Sequence, residues 1–172
     1  RKQLTGKMAS VSPFIGNYSN GFYASASPKD LETMLQLLYL SFTSPRFDES
    51  DFNVLMDKLQ SAYQNMASNP KFQLQDTLTS TLYNHSPRRE MLTYDNLSQI
   101  DFAKMQQIYD KLYRNADDFT YTIVGNVDLE TLKPLVEKYI GSLPSTKQGY
   151  SWEDDGVRYP QGKVTNHFST AM

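Results

Sequence analysis

The chain has 172 residues, enough for one domain with a real core, and its 17 basic and 19 acidic residues leave a formal net charge of −2. No basic run exceeds two residues (Arg1-Lys2, Arg88-Arg89), which argues against nucleic acid as a partner, and no apolar stretch reaches the ~18 residues that a membrane span needs. With no cysteine, a disulfide framework, thiolate metal ligands and a thiol nucleophile are excluded. The chain starts with Arg1 rather than an initiator Met and reads as a fragment, so the lack of a visible leader carries no information.

The first residues predict a hairpin. Met8 to Pro13 is one extended segment; Phe22, Ala24 and Ala26 mark an alternating second one. The turn formers Gly16-Asn17-Tyr18-Ser19-Asn20-Gly21 lie between them. Ser27-Pro28-Lys29-Asp30 is a helix start, with Ser as N-cap, Pro at N1 and an acid at N3. The helix it opens runs to about Phe42 and is apolar nearly all round, so it is expected to be buried between a sheet and other helices. Ser44-Pro45 ends it.

Asp48 is the next N-cap, with Phe47 and Phe52 as a hydrophobic staple. Phe52, Leu55, Met56, Leu59, Ala62, Tyr63 and Met66 form a single stripe, the pattern of a surface helix. Asn69-Pro70 starts a third helix that ends near Asn84, before His85-Ser86-Pro87. A connection with one helical turn around Asp95 to Ser98 follows. Ile100 and Met105 then staple a fourth main helix around Asp101, striped by Phe102, Met105, Ile108, Tyr109, Leu112 and Tyr113.

Phe119 to Val124 is β-branched or aromatic throughout and predicts a core strand. Gly125-Asn126 breaks it, and Gly125 is expected to carry a sharp turn, with a positive φ in prospect. Asp128 caps a last helix whose apolar face is Leu129, Leu132, Leu135, Val136, Tyr139 and Ile140. Pro134 interrupts its hydrogen bonding, and Gly141 with Leu143-Pro144 ends it. The acidic, Gly- and Pro-bearing stretch from Ser145 to Gly162 reads as a linker, and Lys163 to Thr170 as a short final strand. The expected fold class is α+β, a mainly antiparallel sheet with helices packed on one face. The expected domains are 1–146, then 147–172 as linker and start of the next domain. Three strands are too few to cover the apolar surface that the helices present, which leaves a sheet edge in need of a partner.

Several local motifs carry a resemblance. Gly6-Lys7 with Gly16, Ser27-Pro28-Lys29-Asp30-Leu31-Glu32 and Tyr39-Leu40-Ser41-Phe42-Thr43-Ser44-Pro45-Arg46 are three of them. Asp118 through Asn126 and Tyr139-Ile140-Gly141-Ser142-Leu143-Pro144 are two more. Over roughly Leu4 to Pro144 the chain resembles the pitrilysin/insulinase family of zinc metallopeptidases, and more narrowly the second half of its bacterial two-half members. The resemblance implies an α+β domain of the mitochondrial-processing-peptidase type, shortened at its N-terminus.

Catalysis in that family rests on an inverted motif, His-x-x-Glu-His, whose imidazoles bind zinc while the Glu acts as base on the metal-bound water. The two histidines here, His85 and His167, stand apart and outside such a motif, and Glu90 follows His85 in the wrong order. The family's third ligand is a Glu on a downstream helix, matching the Asp48, Glu49 and Asp51 region, where acids in a first helical turn are equally expected for capping. Active halves also carry Asn-Ala-Thr where this chain has Ser12-Pro13-Phe14-Ile15 and Tyr18-Ser19-Asn20. His85 with Arg88 and Arg89 is a candidate anion site set against an ordinary polar loop. The aromatic residues are a candidate binding face set against ordinary core. No nucleophile-elbow pattern is present.

The expectation is therefore a non-catalytic domain, with no catalytic, cofactor-binding or metal-binding residue of its own and inactive by itself. The zinc of the parent endopeptidase would lie in its catalytic half. The expected partners are that catalytic half of the same polypeptide and a peptide substrate, which this domain would help to enclose and orient. The alternatives are the C-terminal part of the catalytic half, with its zinc motif upstream of Arg1, and a stand-alone interaction module. Similarity to bacterial envelope enzymes implies a periplasmic or cell-envelope location.

Overall fold

A computed structural model describes residues 4–146, 149 and 151–167. It is α+β, with one two-stranded antiparallel sheet and six α-helices among the described residues. The chain forms two compact units: Arg1–Phe47 with Gln106–Ser151, and Asp48–Met105 with the chain from Trp152 onward.

In the first unit, β1 (Ala9–Ile15) pairs with β2 (Asn20–Ala26) in a register running from Ala9↔Ala26 to Ile15↔Asn20. Ser27 N donates to the Met8 carbonyl at 2.9 Å and Gly16 N to the Ser19 carbonyl at 2.7 Å, so these two pairs are hydrogen-bonded rungs. Bonded and non-bonded pairs alternate in an antiparallel ladder. Pro13, opposite Phe22, therefore sits at a non-bonded pair, where its missing N–H faces the outer edge of β1 and costs the ladder nothing.

Pro28–Asp30 forms a 3-10 turn leading into α1 (Leu31–Thr43). Ser27 does not cap it; the Ser27 hydroxyl instead donates to Asp30 Oδ2 at 2.7 Å, and Met8 N donates to the same oxygen at 2.9 Å. Lys7 Nζ lies 3.3 Å from the other carboxylate oxygen. The buried Asp30 thus ties the start of the hairpin to the start of the helix, and the three donors hold its carboxyl below the usual range, the Met8 amide most strongly.

Helix α1 buries Met34, Leu35, Leu38 and Phe42. Leu38 and Phe42 meet Ala116 and Leu143 in a core sealed by Val11, Phe22, Phe119, Tyr121 and Ile140. Tyr113, at the end of α5 (Phe102–Tyr113), is its aromatic hub: its ring lies 4.7 Å from that of Phe22 and 4.5 Å from that of Tyr109. Its hydroxyl donates to the Phe14 carbonyl at 2.7 Å. Here the aromatic residues at helical spacing are core. Helix α6 (Leu129–Tyr139) starts at Asp128, whose Oδ1 accepts from Thr131 N at 2.8 Å. It is joined to α1 through Glu32, which accepts from Lys138 Nζ at 3.0 Å and from the Tyr139 hydroxyl at 2.7 Å. Beyond α6, Asn115 pins the returning chain by accepting from Thr146 N at 2.9 Å.

Two expectations are corrected here. Phe119–Val124 is not a strand: Phe119 is extended (φ −98°, ψ 137°), but residues 120–124 form no backbone ladder among the described residues. Phe119 and Tyr121 do turn into the core as the alternation required, and what is missing is a neighbouring strand, which local sequence cannot supply. Gly125 does not have a positive φ and has open space where a Cβ would go. Gly141, by contrast, is constrained by backbone, because a Cβ there would lie 2.9 Å from the Glu137 carbonyl oxygen.

The second unit contains α2 (Glu49–Ala67), α3 (Pro70–Leu82) and α4 (Tyr94–Leu97). The caps are those read from the sequence: Asp48 accepts from Ser50 N and Asp51 N, and Asn69 from Lys71 N. Thr93 and Asn96 form a reciprocal capping box on α4. Leu97 is fully buried, and Phe52 packs on Phe102 at 5.2 Å. The segment from Trp152 belongs to this unit through the Tyr83–Tyr159 ring pair at 5.6 Å and the Arg88–Asp155 pair at 3.7 Å. The final strand expected over 163–170 falls partly outside the described residues, and 163–167 form no strand.

Candidate functional site

A cleft of about 720 Å³ opens in the first unit along the free side of β2. One wall is β2 with Ser27 and Pro28; the other is the unpaired chain from Asp118 to Val127. Leu31, Met34, Leu35 and Leu38 of α1, with Ile140, provide the apolar floor. Asp118 is the only ionised side chain among its lining residues. The Tyr121 hydroxyl donates to the Ala116 carbonyl at 3.3 Å, and burial pushes its pKa up to about 12, with Asp117 adding to the rise. Among the described residues the one lining hydroxyl with a carboxylate partner is that of Ser27, and the Asp30 carboxylate it meets is buried and already engaged by Met8 N and Lys7 in the knot that ties the hairpin to α1. The chemistry of the cleft is that of backbone and methyl groups, which suits an extended chain added beside a strand.

The residues singled out in the sequence do not gather in the cleft. His85 ends α3: it and Asn84 adopt left-handed backbone (φ 57° and 51°), and His85 N donates to the Ser80 carbonyl at 2.8 Å. Its Nδ1 lies 2.6 Å from Ser80 Oγ, so the ring completes a helix C-terminus. Asp48 Oδ1 is engaged by Ser50 N at 3.0 Å, Ser50 Oγ at 2.6 Å and Asp51 N at 3.3 Å, the work of an N-cap. Arg88 pairs with Asp155, and Arg89 stacks over the Tyr83 ring at 5.1 Å, so the two guanidinium groups do not form an anion fork with His85. His167 is exposed.

A zinc site needs three or four converging nitrogen, sulfur or carboxylate donors. Among the described residues no group of three or more His, Cys, Asp or Glu side chains is placed to hold a metal ion. Of the candidate donors, Asp48 is engaged as an N-cap and His85 with Ser80 at a helix end. The cleft beside β2 was hidden in sequence because it is defined by a missing neighbour. Its one signal was the shortfall of strands against apolar helix surface.

Comparison with known proteins gives a consistent picture. The model described as Insulinase (Peptidase family M16) matches residues 7–96, just over half of the chain, and that described as Peptidase M16 inactive domain matches residues 99–170. A protein of Arabidopsis thaliana named "Zinc protease PQQL-like" is 27% identical over 120 residues, covering 69% of this chain and 13% of that protein. A protein of Haemophilus influenzae named "Probable zinc protease PqqL" is 26% identical over 143 residues, 80% of this chain and 15% of that protein. The chain thus spans about a seventh of the length of these curated relatives.

Proposed function

Because this chain belongs to the insulinase family of peptidases (peptidase family M16), we propose that it is a non-catalytic part of a zinc endopeptidase, which helps to enclose a peptide substrate and orient it for cleavage elsewhere in the polypeptide. The observation that carries this reading is the engagement of two of its candidate donors, His85 and Asp48, at helix ends. The match of residues 99–170 to the family's inactive-domain description supports it. Zinc, held by the catalytic half, would supply the activated water; this chain's residues would contribute position and exclusion of solvent, which raise the rate without touching the reacting bond. The reading places the domain's end near residue 146, makes the catalytic half its partner, and sets the parent protein in the periplasm or cell envelope.

The test uses the full-length parent peptidase. His85→Ala and His167→Ala should leave both the zinc stoichiometry and kcat on an unstructured peptide unchanged. Loss of about one zinc per molecule in either variant would mean that this chain supplies a ligand and would overturn the proposal. Full activity after excision of residues 1–146 would overturn the substrate-enclosing role in its turn.

A further inference from the structure

The segment from Trp152 to His167 contains no helix and no strand, yet it has a definite shape. Asp154 Oδ1 accepts from Gly156 N and Asp155 Oδ1 from Val157 N, both at 3.0 Å, and Arg158 pairs back onto Asp154. Gly156 (φ 71°) and Gly162 (φ 78°) make left-handed corners that other residues adopt only at a cost. Tyr159 stands between those corners. The shaped segment meets the end of α3 and the loop after it at three points. Asp155 lies 3.7 Å from Arg88. The Tyr159 ring packs 5.6 Å from that of Tyr83, which also carries the Arg89 guanidinium at 5.1 Å. Asn166 Nδ2 donates to Thr81 Oγ1. Every one of these contacts is made by side chains. Among the described residues no backbone–backbone hydrogen bond joins 152–167 to the rest of the unit. Only Asp155, Val157 and Pro160 of this stretch are even partly buried, and Tyr159 is still 66% exposed. A region held by a few exposed side chains opens at a far lower free energy than helices held by their own ladders of main-chain bonds.

We propose that residues 152–167 are a strap that undocks from the end of α3 in one piece while α2, α3 and α4 stay folded. Docked, the strap fixes where the chain leaves this unit. Undocked, it becomes a tether that reaches ~50 Å when extended. Its three anchors, Asp155, Tyr159 and Asn166, follow one another along a single short stretch and are received by Arg88, Tyr83 and Thr81. The central ring pair holds the middle of the strap, so its loss loosens both flanks together. If the chain is part of an enclosing peptidase, as proposed above, the tether gives the polypeptide beyond it room to swing aside and admit a peptide; that consequence rests on the functional reading, and the undocking itself does not.

The strap contains its own reporters, because Arg158 and Lys163 are trypsin sites. Brief digestion of the full-length parent protein, with the bonds cut identified by mass spectrometry, measures how often the strap is open. Tyr159→Ala and Asp155→Asn alter only the strap, and Tyr83→Ala alters the surface that receives it. In the Tyr159→Ala variant cleavage after Arg158 and after Lys163 should rise together, about two- to tenfold, the worth of one aromatic pair. Asp155→Asn and Tyr83→Ala should move both bonds in the same direction. Hydrogen exchange of the α2 amides should stay at the wild-type rate in the two strap variants. Equal cleavage in wild type and Tyr159→Ala would mean that the strap never docks. A rise at one bond alone would mean that it peels instead of undocking in one piece. A matching rise in α2 exchange would mean that strap and helices open together. Each of these three results overturns the proposal. The readout involves neither zinc nor turnover, so failure here leaves the function proposed above standing.

Discussion

Tyr113 lends itself to a two-step dissection. It is 1% exposed, its ring contacts Phe22, Tyr109 and Phe119, and its hydroxyl donates to the Phe14 carbonyl at 2.7 Å with the Gly21 carbonyl 3.3 Å away. Tyr113→Phe keeps the ring and removes only the donation. Phe14 and Gly21 face each other at a bonded rung, so both carbonyls retain their ladder partners. The loss should stay near that of one neutral hydrogen bond, about 1 kcal/mol. Tyr113→Ala removes the hub on which three rings rest, and such truncations cost about 3–5 kcal/mol. For a chain of this size each kcal/mol moves Tm by about 2–4 °C, so the Phe variant should melt about 2–4 °C lower and the Ala variant about 6–20 °C lower. Thermal unfolding followed by near-ultraviolet circular dichroism reads the aromatic cluster directly. Equal losses in the two variants would mean that the hydroxyl, not the ring, holds the core, and a negligible loss for Ala would refute the packing described here.

Gly125→Ala and Gly141→Ala should move stability in opposite directions. The first, in open space, is expected to be neutral or to stabilise by up to about 1 kcal/mol, and the second to cost roughly 1–3 kcal/mol because its Cβ meets the Glu137 backbone; chemical denaturation of the pair decides. Asp30 has a folded pKa below its ordinary 3.8, so its contribution is complete above that value and is lost as pH falls through the folded pKa; Asp30→Asn should lower stability at neutral pH and flatten the acid limb of the stability profile. Tyr109 and Tyr121 are both pushed up to about 12, chiefly by burial. Between the ordinary value of 10.0 and about 12 the folded chain holds protons that the unfolded chain releases, so stability should fall as pH rises through that window. Phenolate absorbance should show a late step coincident with unfolding, reduced in the Tyr109→Phe variant.

The helix starts at Asp48, Asn69, Asp101 and Asp128 were legible because a cap bonds residues two or three positions away, and the signal is as local as the structure it makes. Ser27 misled for the same reason. It has a capping residue's surroundings, but Asp30 draws its hydroxyl away, and Asp30 also reaches Met8, twenty-two positions back. The run 119–124 had a strand's composition, and its inward face at Phe119 and Tyr121 was read correctly. Pairing, however, depends on a neighbour that no window of sequence contains. His85 stayed ambiguous because a left-handed helix terminus and a ligand position look alike until the backbone is seen. The cleft was least legible of all, being a property of two segments about a hundred residues apart.

That separation has a consequence for the nascent chain. The hairpin and α1 leave the ribosome ahead of the residues that close their core, Tyr113, Ala116, Phe119 and Leu143, which come long afterwards. At about 5–20 residues per second, roughly 5–20 s pass between the synthesis of Thr43 and that of Leu143. Within that interval α2, α3 and α4 emerge in sequence and can settle on one another, while Leu38, Phe42 and Phe22 wait uncovered. The hairpin and α1 are thus made well before they are sheltered, and it is there that a chaperone binding to emerging apolar segments would find a long opportunity.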